Sequence, residues 1–212
     1  MKSKSPFIVF EGIEGVGKST QIDVLSKEIS ETKQKVIKTF EPGATILGKE
    51  IRKLLLESSK STKISSLSEL LLFSADRAQH VSEIIKPALE NDTVVLCDRF
   101  IYSTLAYQCY GRGLSAELVN LVNSLTLEDL TPDLVILLDI DPEIGLKRAK
   151  KRQDLDRIES LELSFHKKVR EGFLTLAKDN KEIFITVDAE KSIEDISENI
   201  FSEIQKRFNF SG

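Results

Sequence analysis

Three glycines, a lysine and two hydroxyls crowd the stretch FEGIEGVGKST, residues 10–20, directly after the apolar run FIV. The spacing Gly12-x-x-x-x-Gly17-Lys18-Ser19 is that of a phosphate-binding loop. A polyphosphate is long and highly charged, so its loop must bring backbone N–H groups close to it. Glycines permit that approach and tolerate positive φ. A helix expected from about Lys18 adds the positive end of its dipole. Lys18 is suited to the β and γ phosphates, and the Ser19 hydroxyl to a Mg²⁺ ion.

Other stretches carry matching chemistry. In VVLCDRF, Asp98 can hold Mg²⁺ directly or through water, and Arg99 can clamp a second phosphate with its planar fork. The alternative is a surface ion pair at a strand end. Residues 68–89, SELLLFSADRAQHVSEIIKPAL, have the period of one long helix. Leu71, Ala75, Ala78, Ser82, Ile85 and Leu89 fall on one stripe. Leu70, Phe73, Val81, Ile84 and Ala88 form a second, with Arg77 among them. A helix apolar on two sides is covered on two sides, here by the sheet and by a ligand, a partner subunit or both. Phe73 and Arg77, four residues apart, project together. They suit a nucleobase, by stacking and a hydrogen bond to a ring oxygen, and equally a core Phe with a snorkelling Arg. Finally, LKRAKKRQDLDRIE at 146–159 mixes basic side chains with Asp154, Asp156 and Glu159. Such a run is usually a solvated helix face or a nucleic-acid patch, the latter weakened here by the interspersed acids; in a phosphotransferase it can close as a lid over the γ-phosphate and deliver arginine to developing charge.

Holding these groups together requires strands whose ends meet. Phe7–Glu11, Val36–Phe40, Thr93–Cys97, Leu134–Asp139 and Ile183–Val187 read as strands, three of them nearly continuous aliphatic runs of the kind buried on both faces of a parallel sheet. Helical patterns lie between them, such as Ile22, Leu25 and Ile29. The expected architecture is α/β, a P-loop fold with a five-stranded parallel sheet flanked by helices on both faces. One domain over residues 1–212 is expected, with a lid at about 147–159. The 212 residues, 41% hydrophobic and 30% charged, fit one cored globular unit. A net charge of −4 argues against a protein that coats nucleic acid. No apolar run approaches the roughly 18 residues that span a bilayer, and FIVF is too short for a signal-peptide core of about 7–15. Cys97 and Cys109 have no metal-ligand spacing and build no disulfide framework. A cytoplasmic, reduced protein is expected. The guanine-reading Asn-Lys-x-Asp is absent, since Asn180-Lys181-Glu182-Ile183 lacks the final acid; this sets a regulatory GTPase aside.

Together these motifs resemble the thymidylate kinase family, from the first strand to the last helix. The likeness rests on FEGIEGVGKST, EPGAT at 41–45, LLFSADRAQH at 71–80, DRFIYSTLAYQ at 98–108, GRG at 111–113 and LDRIE at 155–159. It implies transfer of the ATP γ-phosphoryl group to thymidine monophosphate with Mg²⁺, by a homodimer packed through helices across a twofold. It implies ATP contacts at Gly12, Ile13, Glu14, Gly15, Val16, Gly17, Lys18, Ser19, Thr20 and Arg148, and metal contacts at Ser19 and Asp98. Lys18, Asp98, Arg99 and Arg152 would be catalytic. For the acceptor, Phe73 would stack on thymine, Arg77 reach a thymine oxygen, Thr104 and Gln108 read the base edge, and Tyr107 crowd a ribose 2′-hydroxyl. Glu14 would lie near the 3′-hydroxyl, Glu41 and Pro42 beside the acceptor phosphate, and Arg99 on it.

Family members differ in where the catalytic arginine sits. Gly15 occupies the P-loop place used by one type, so the resemblance implies the lid type, with Arg152 as the arginine finger and Arg148 or Lys150 assisting. Two departures stand out. Phe40 replaces an arginine common in bacterial relatives, removing a cation near the acceptor phosphate, and Cys109 and Tyr110 replace smaller residues. Two rival readings remain at this point: a kinase for a different acceptor, such as another nucleoside monophosphate or a deoxynucleoside with Glu41 as base for its 5′-hydroxyl, and a nucleotide-binding regulator without turnover.

Overall fold

The aliphatic runs become the centre of a sheet. The computed structural model describes residues 5–57, 63–152 and 156–208. In chain order the elements are β1 (Phe7–Glu11), α1 (Lys18–Glu31), β2 (Lys35–Phe40), α2 (Ile46–Arg52), α3 (Ser66–His80), α4 (Lys86–Glu90) and β3 (Thr93–Asp98), followed by α5 (Ile101–Thr104), α6 (Ala116–Leu127), β4 (Leu134–Asp139), α7 (Pro142–Arg152), α8 (Leu163–Asp179), β5 (Phe184–Asp188) and α9 (Ile193–Arg207). Wider π-helical turns continue α2 through Lys53–Glu57, join α3 to α4 through Val81–Ile85 and extend α5 through Leu105–Gly111.

All strand pairings are parallel, in the order β2-β3-β1-β4-β5. β1 is buried throughout, and β3 and β4 are buried up to their last residue, whereas the edge strands β2 and β5 are largely open to solvent, with one and two buried residues. Central strands covered on both faces need unbroken aliphatic runs, which is why these three stand out in the sequence. The chain steps from β1 outward to β2, then returns through β3 and past β1 to β4 and β5. Right-handed crossovers put α1 on one face and the helices of the returning connections on the other; α9 packs beside α1. The reversal between β1 and β3 opens a crevice at the strands' carboxyl ends. There Phe10 pairs with Asp98, which sets the start of the P-loop beside the Asp98–Arg99 turn. Among the described residues no helix is long and apolar enough to cross a membrane.

The long helical stretch differs from its expected phase. Leu71, Ala75, Ala78 and Ser82 are exposed, but Ile85 and Leu89, expected on the same stripe, are buried. The π-helical turn takes more residues per turn than an α-helix, so it rotates the later side chains inward. The exposed stripe meets further apolar residues on the neighbouring α6, where Leu121 and Leu125 are 61% and 75% exposed.

Candidate active site

β1 runs into a loop that turns tightly through Gly12 (φ 134°), Gly15 (φ 72°) and Gly17 (φ 93°) before α1 starts at Lys18. The Lys18 ammonium folds back to donate to the carbonyls of Gly12 (3.2 Å) and Ile13 (3.0 Å), and lies 4.0 Å from Asp98 Oδ1. Burial and then the nearby Arg99 charge pull its pKa down, Asp98, Glu14 and Glu11 pull it up, and it settles at about 8. The Ser19 hydroxyl donates to Asp98 Oδ2 at 3.0 Å. A hydroxyl and a carboxylate together, beside a lysine, form the hard-oxygen pair that suits Mg²⁺ held mainly by phosphates. Ile13 and Val16 turn their side chains into the core, leaving the loop backbone to face the cleft. A Cβ on Gly15 would lie 2.0 Å from the Gly145 carbonyl oxygen on α7. The P-loop and the helix leading to the lid are thus in backbone contact, and Gly15 has no room for a basic side chain.

Arg99 adopts a left-handed backbone (φ 72°), uncommon for a residue with a Cβ. That twist carries its guanidinium back across β1, where it donates to Gly12 O (3.0 Å), Ser103 Oγ (3.1 Å) and Glu14 Oε1 (3.1 Å). Beneath it lies Glu11, fully buried, accepting from the N–H groups of Phe100 and Ser103 (both 3.0 Å) and from the Ser103 hydroxyl (2.6 Å). Burial outweighs these hydrogen bonds and the Arg99 charge, and lifts the Glu11 pKa to about 7.

Glu14 is the next buried acid. Its Oε1 also accepts from the Tyr107 hydroxyl, whose ring lies under the Arg99 guanidinium at 5.1 Å. His166 of α8, fully buried, sets Nδ1 3.2 Å from Glu14 Oε2 without hydrogen-bond alignment. Burial raises the Glu14 pKa, but His166, Arg99, Tyr107 and Lys18 outweigh it and bring the value to about 2.

Further along the cleft the groups come from helices. Arg77 is buried and donates from Nε to Glu41 Oε2 (3.0 Å), from Nη1 to Asn123 Oδ1 (3.0 Å) and from Nη2 to Thr104 Oγ1 (2.8 Å). Glu41 Oε1 lies 3.0 Å from His80 Nδ1, so both its oxygens are engaged. Phe73 is half-buried on the cleft wall. Arg52 of α2 donates to Pro42 O (2.7 Å) and sits 5.8 Å above the Phe40 ring. A guanidinium therefore stands on the wall where Phe40 supplies none. Gln108 donates to Glu69 Oε1 at 3.1 Å. Glu69 also receives Nε and Nη2 of Arg112 (3.0 Å each) and Nη2 of Arg157, whose Nε donates to Leu55 O (2.6 Å). Of these residues Phe40, Glu41, Pro42, Arg52, Phe73, Arg77, Thr104 and Gln108, with Asp156, Ile158 and Glu159, line one cleft that runs from the P-loop to Gln108 and opens to solvent, its empty space about 1150 Å³ with that open solvent included; Glu69, Arg112 and Arg157 stand behind this wall.

The Thymidylate kinase family model matches residues 10–200 of this chain. The chain belongs to the thymidylate kinase family. It is 46% identical to the thymidylate kinase of Trichodesmium erythraeum, over 95% of each chain, and 48% identical to that of Halothermothrix orenii, over 94% of this chain and 96% of the relative. Among solved structures, thymidylate kinase from Ehrlichia chaffeensis superposes with a TM-score of 0.78 at 35% identity, covering 96% of this chain and all of that one (100%).

Within this member of the thymidylate kinase family, Glu14, Gly15, Gly17, Lys18, Ser19, Thr20, Glu41, Pro42, Phe73, Arg77, Asp98, Arg99, Thr104, Tyr107 and Gln108 all reach the one cleft. Arg148 does not: from α7 it donates to Ala189 O after β5 (2.9 Å). Arg152 closes α7, but its side chain lies outside the described residues, as do Gln153, Asp154 and Leu155 of the expected lid. Sequence reasoning missed Glu11, Arg52, Glu69, Asn123, Gly145 and His166. Only Glu69 left a usable signal, because Glu69, Phe73 and Arg77 recur every four residues on one helix face.

Proposed function

We propose that this chain transfers the γ-phosphoryl group of ATP to the 5′-phosphate of thymidine monophosphate, using Mg²⁺. The observation that carries this reading is the single cleft joining a P-loop to a helical pocket, with Arg99 and Glu14 at the junction. ATP phosphates lie on the loop N–H groups and Lys18, through the residues from Gly12 to Thr20. The acceptor base lies against Phe73, with Arg77, Thr104 and Gln108 at its edge, and its phosphate meets Arg99 and Arg52. Tyr107, held by Glu14, faces the sugar. Mg²⁺ at Ser19 and Asp98 neutralises phosphate charge when bound. The acceptor phosphate is already anionic near neutral pH, so no general base is needed, and catalysis is positioning and charge neutralisation. The engagement of both Glu41 oxygens by Arg77 and His80 favours this over a nucleoside kinase with Glu41 as base. Arg152 is the arginine finger in this reading, and the Gly15–Gly145 contact supports it by leaving the P-loop no space for one.

The same proposal takes the chain as one kinase domain with a lid at about 147–159, working in the cytoplasm as a homodimer. The exposed apolar stripe of α3 and α6 supports the dimer, since such a face is costly in water.

The test is ADP release with Mg·ATP and each acceptor alone: thymidine monophosphate, deoxyuridine, deoxycytidine and deoxyguanosine monophosphates, and thymidine. Strong turnover with thymidine monophosphate and little with thymidine is expected. Turnover with thymidine alone would make the chain a nucleoside kinase. Tight ATP binding with no turnover would make it a regulator.

A further inference from the structure

We propose that Glu69 is a positioning residue that fixes which way the Gln108 amide faces, so that the cleft accepts a pyrimidine carrying a hydrogen on ring N3 and rejects one with a bare N3. The inference rests on the reading above that Gln108 meets the base.

Glu69 sits in the first turn of α3, 1% exposed. It gathers donors from three separate places: the Gln108 amide, the Arg112 guanidinium after the π-helical turn, and the Arg157 guanidinium beyond α7. Burial alone would raise its pKa, but the two arginines outweigh that and hold it below the ordinary range. It is therefore an ionised carboxylate at neutral pH, with acceptors only. An amide facing such a group must turn its N–H₂ towards it, because its oxygen would meet another oxygen. The other end of the amide, Oε1, is then committed to the opposite direction. Gln108 lines the cleft, and among the described residues nothing donates to its Oε1.

An acceptor fixed in this place discriminates by ring chemistry. Thymine and uracil both present N3–H between two carbonyls, and Oε1 can accept that hydrogen. Cytosine presents a lone pair at N3, so two acceptors would face each other in a dehydrated site, each unpaired. A free amide would simply flip to serve either base. Glu69 forbids the flip. The 5-methyl group plays no part, so this device separates thymine from cytosine but not from uracil. The same carboxylate ties down Arg157, so the wall carrying Asp156, Ile158 and Glu159 docks on the group that orients the base reader.

The experiment measures kcat/KM of the full chain with thymidine, deoxyuridine and deoxycytidine monophosphates, in wild type and in Glu69→Gln. A glutamine at 69 can present either end of its amide, which frees Gln108. The preference for thymidine over deoxycytidine monophosphate should fall roughly tenfold or more, with the thymidine-to-deoxyuridine ratio unchanged. Both ratios falling together would mean general loosening and overturn the proposal, as would neither falling. Gln108→Leu separates this failure from that of the underlying reading: if it keeps the full preference against deoxycytidine monophosphate, Gln108 does not meet the base at all. Should Glu69→Gln fail to fold, the wild-type chain still decides. On titration with thymidine monophosphate, the carbonyl carbon of the Gln108 amide should shift in the NMR spectrum with its N–H₂ pair little moved. The reverse pattern would overturn the proposal.

Discussion

The two ends of the cleft are built differently. At the end that the proposed function gives to phosphate, the working groups come from the carboxyl ends of β1 and β3 and the turns after them, and backbone N–H groups and carbonyls do much of the holding, as where Lys18 and Arg99 both donate to Gly12 O. At the end that it gives to the base, side chains far apart in sequence hold one another: Arg77 joins Glu41, Thr104 and Asn123, and Glu69 joins Gln108, Arg112 and Arg157. A phosphate is the same in every nucleotide, so a strand–loop–helix motif suffices for it. A base must be distinguished from near copies, which takes fixed donors and acceptors on several elements.

If that division holds, the largest effects on chemistry arise at the phosphate end. Arg152→Ala should lower kcat by roughly 10²–10³ with little change in either KM. An unchanged kcat would remove Arg152 from the transition state and break the comparison at its strongest point.

Backbone contact at the phosphate end gives the next effect. Gly15 and Gly17 are both left-handed, but a Cβ at Gly15 meets the Gly145 carbonyl oxygen at 2.0 Å, whereas one at Gly17 has nothing within 4 Å. Gly15→Ala should therefore destabilise the ligand-free chain by about 2–3 kcal/mol, through strain plus collision, and Gly17→Ala by about 1. Thermal melts of the two variants measure the difference. Equal melting temperatures would mean that α7 does not press on the loop.

This division also governs what can be read without a structure. Gly12, Lys18, Ser19, Asp98 and Arg99 stand at strand ends in local patterns, and the strands declare themselves through the burial of β1, β3 and β4. Phe73 and Arg77 showed a shared helix face but not what it faced. The Glu69 cluster spans residues 69 to 157, and no local period reports such a closure. His166 and Gly145 look ordinary in a helix until Glu14 is placed beside each. The phase slip after His80 was hidden because π-helical turns leave no clear residue signature.

At the base end, Phe73→Ala should raise the KM for thymidine monophosphate roughly tenfold to a hundredfold, the usual worth of a stacked base, leaving the ATP KM near its wild-type value. A change confined to the ATP KM would mean that the two ends do not divide the substrates as argued.

The smallest effect separates two buried carboxylates, one from each region. Glu11 takes its hydrogen bonds from uncharged groups, with the Arg99 charge too weak to offset burial, and its pKa stands near 7. Glu69 is clamped by two guanidiniums and its pKa is lowered. The signs of their pH effects are opposite. Glu11 binds its proton more tightly folded than unfolded, so its stabilisation is full below about 4.5 and is lost as pH rises to about 7. Glu69 stabilises as an anion, so its contribution is present above the ordinary carboxylate range and is lost as pH falls through the lowered value. In Glu11→Gln, the side-chain oxygen can accept from Phe100 and Ser103 while the N–H₂ donates to Ser103 Oγ, as the protonated acid would. That variant should gain on the wild type by on the order of 1–2 kcal/mol between pH 5 and pH 7, a few degrees in Tm. Glu69→Gln should lose ground over the range just below pH 5 as the pH rises. Parallel pH profiles for the two variants would mean that the charge environments of the two ends are alike, and the distinction between a backbone-held and a side-chain-held site would fall with them.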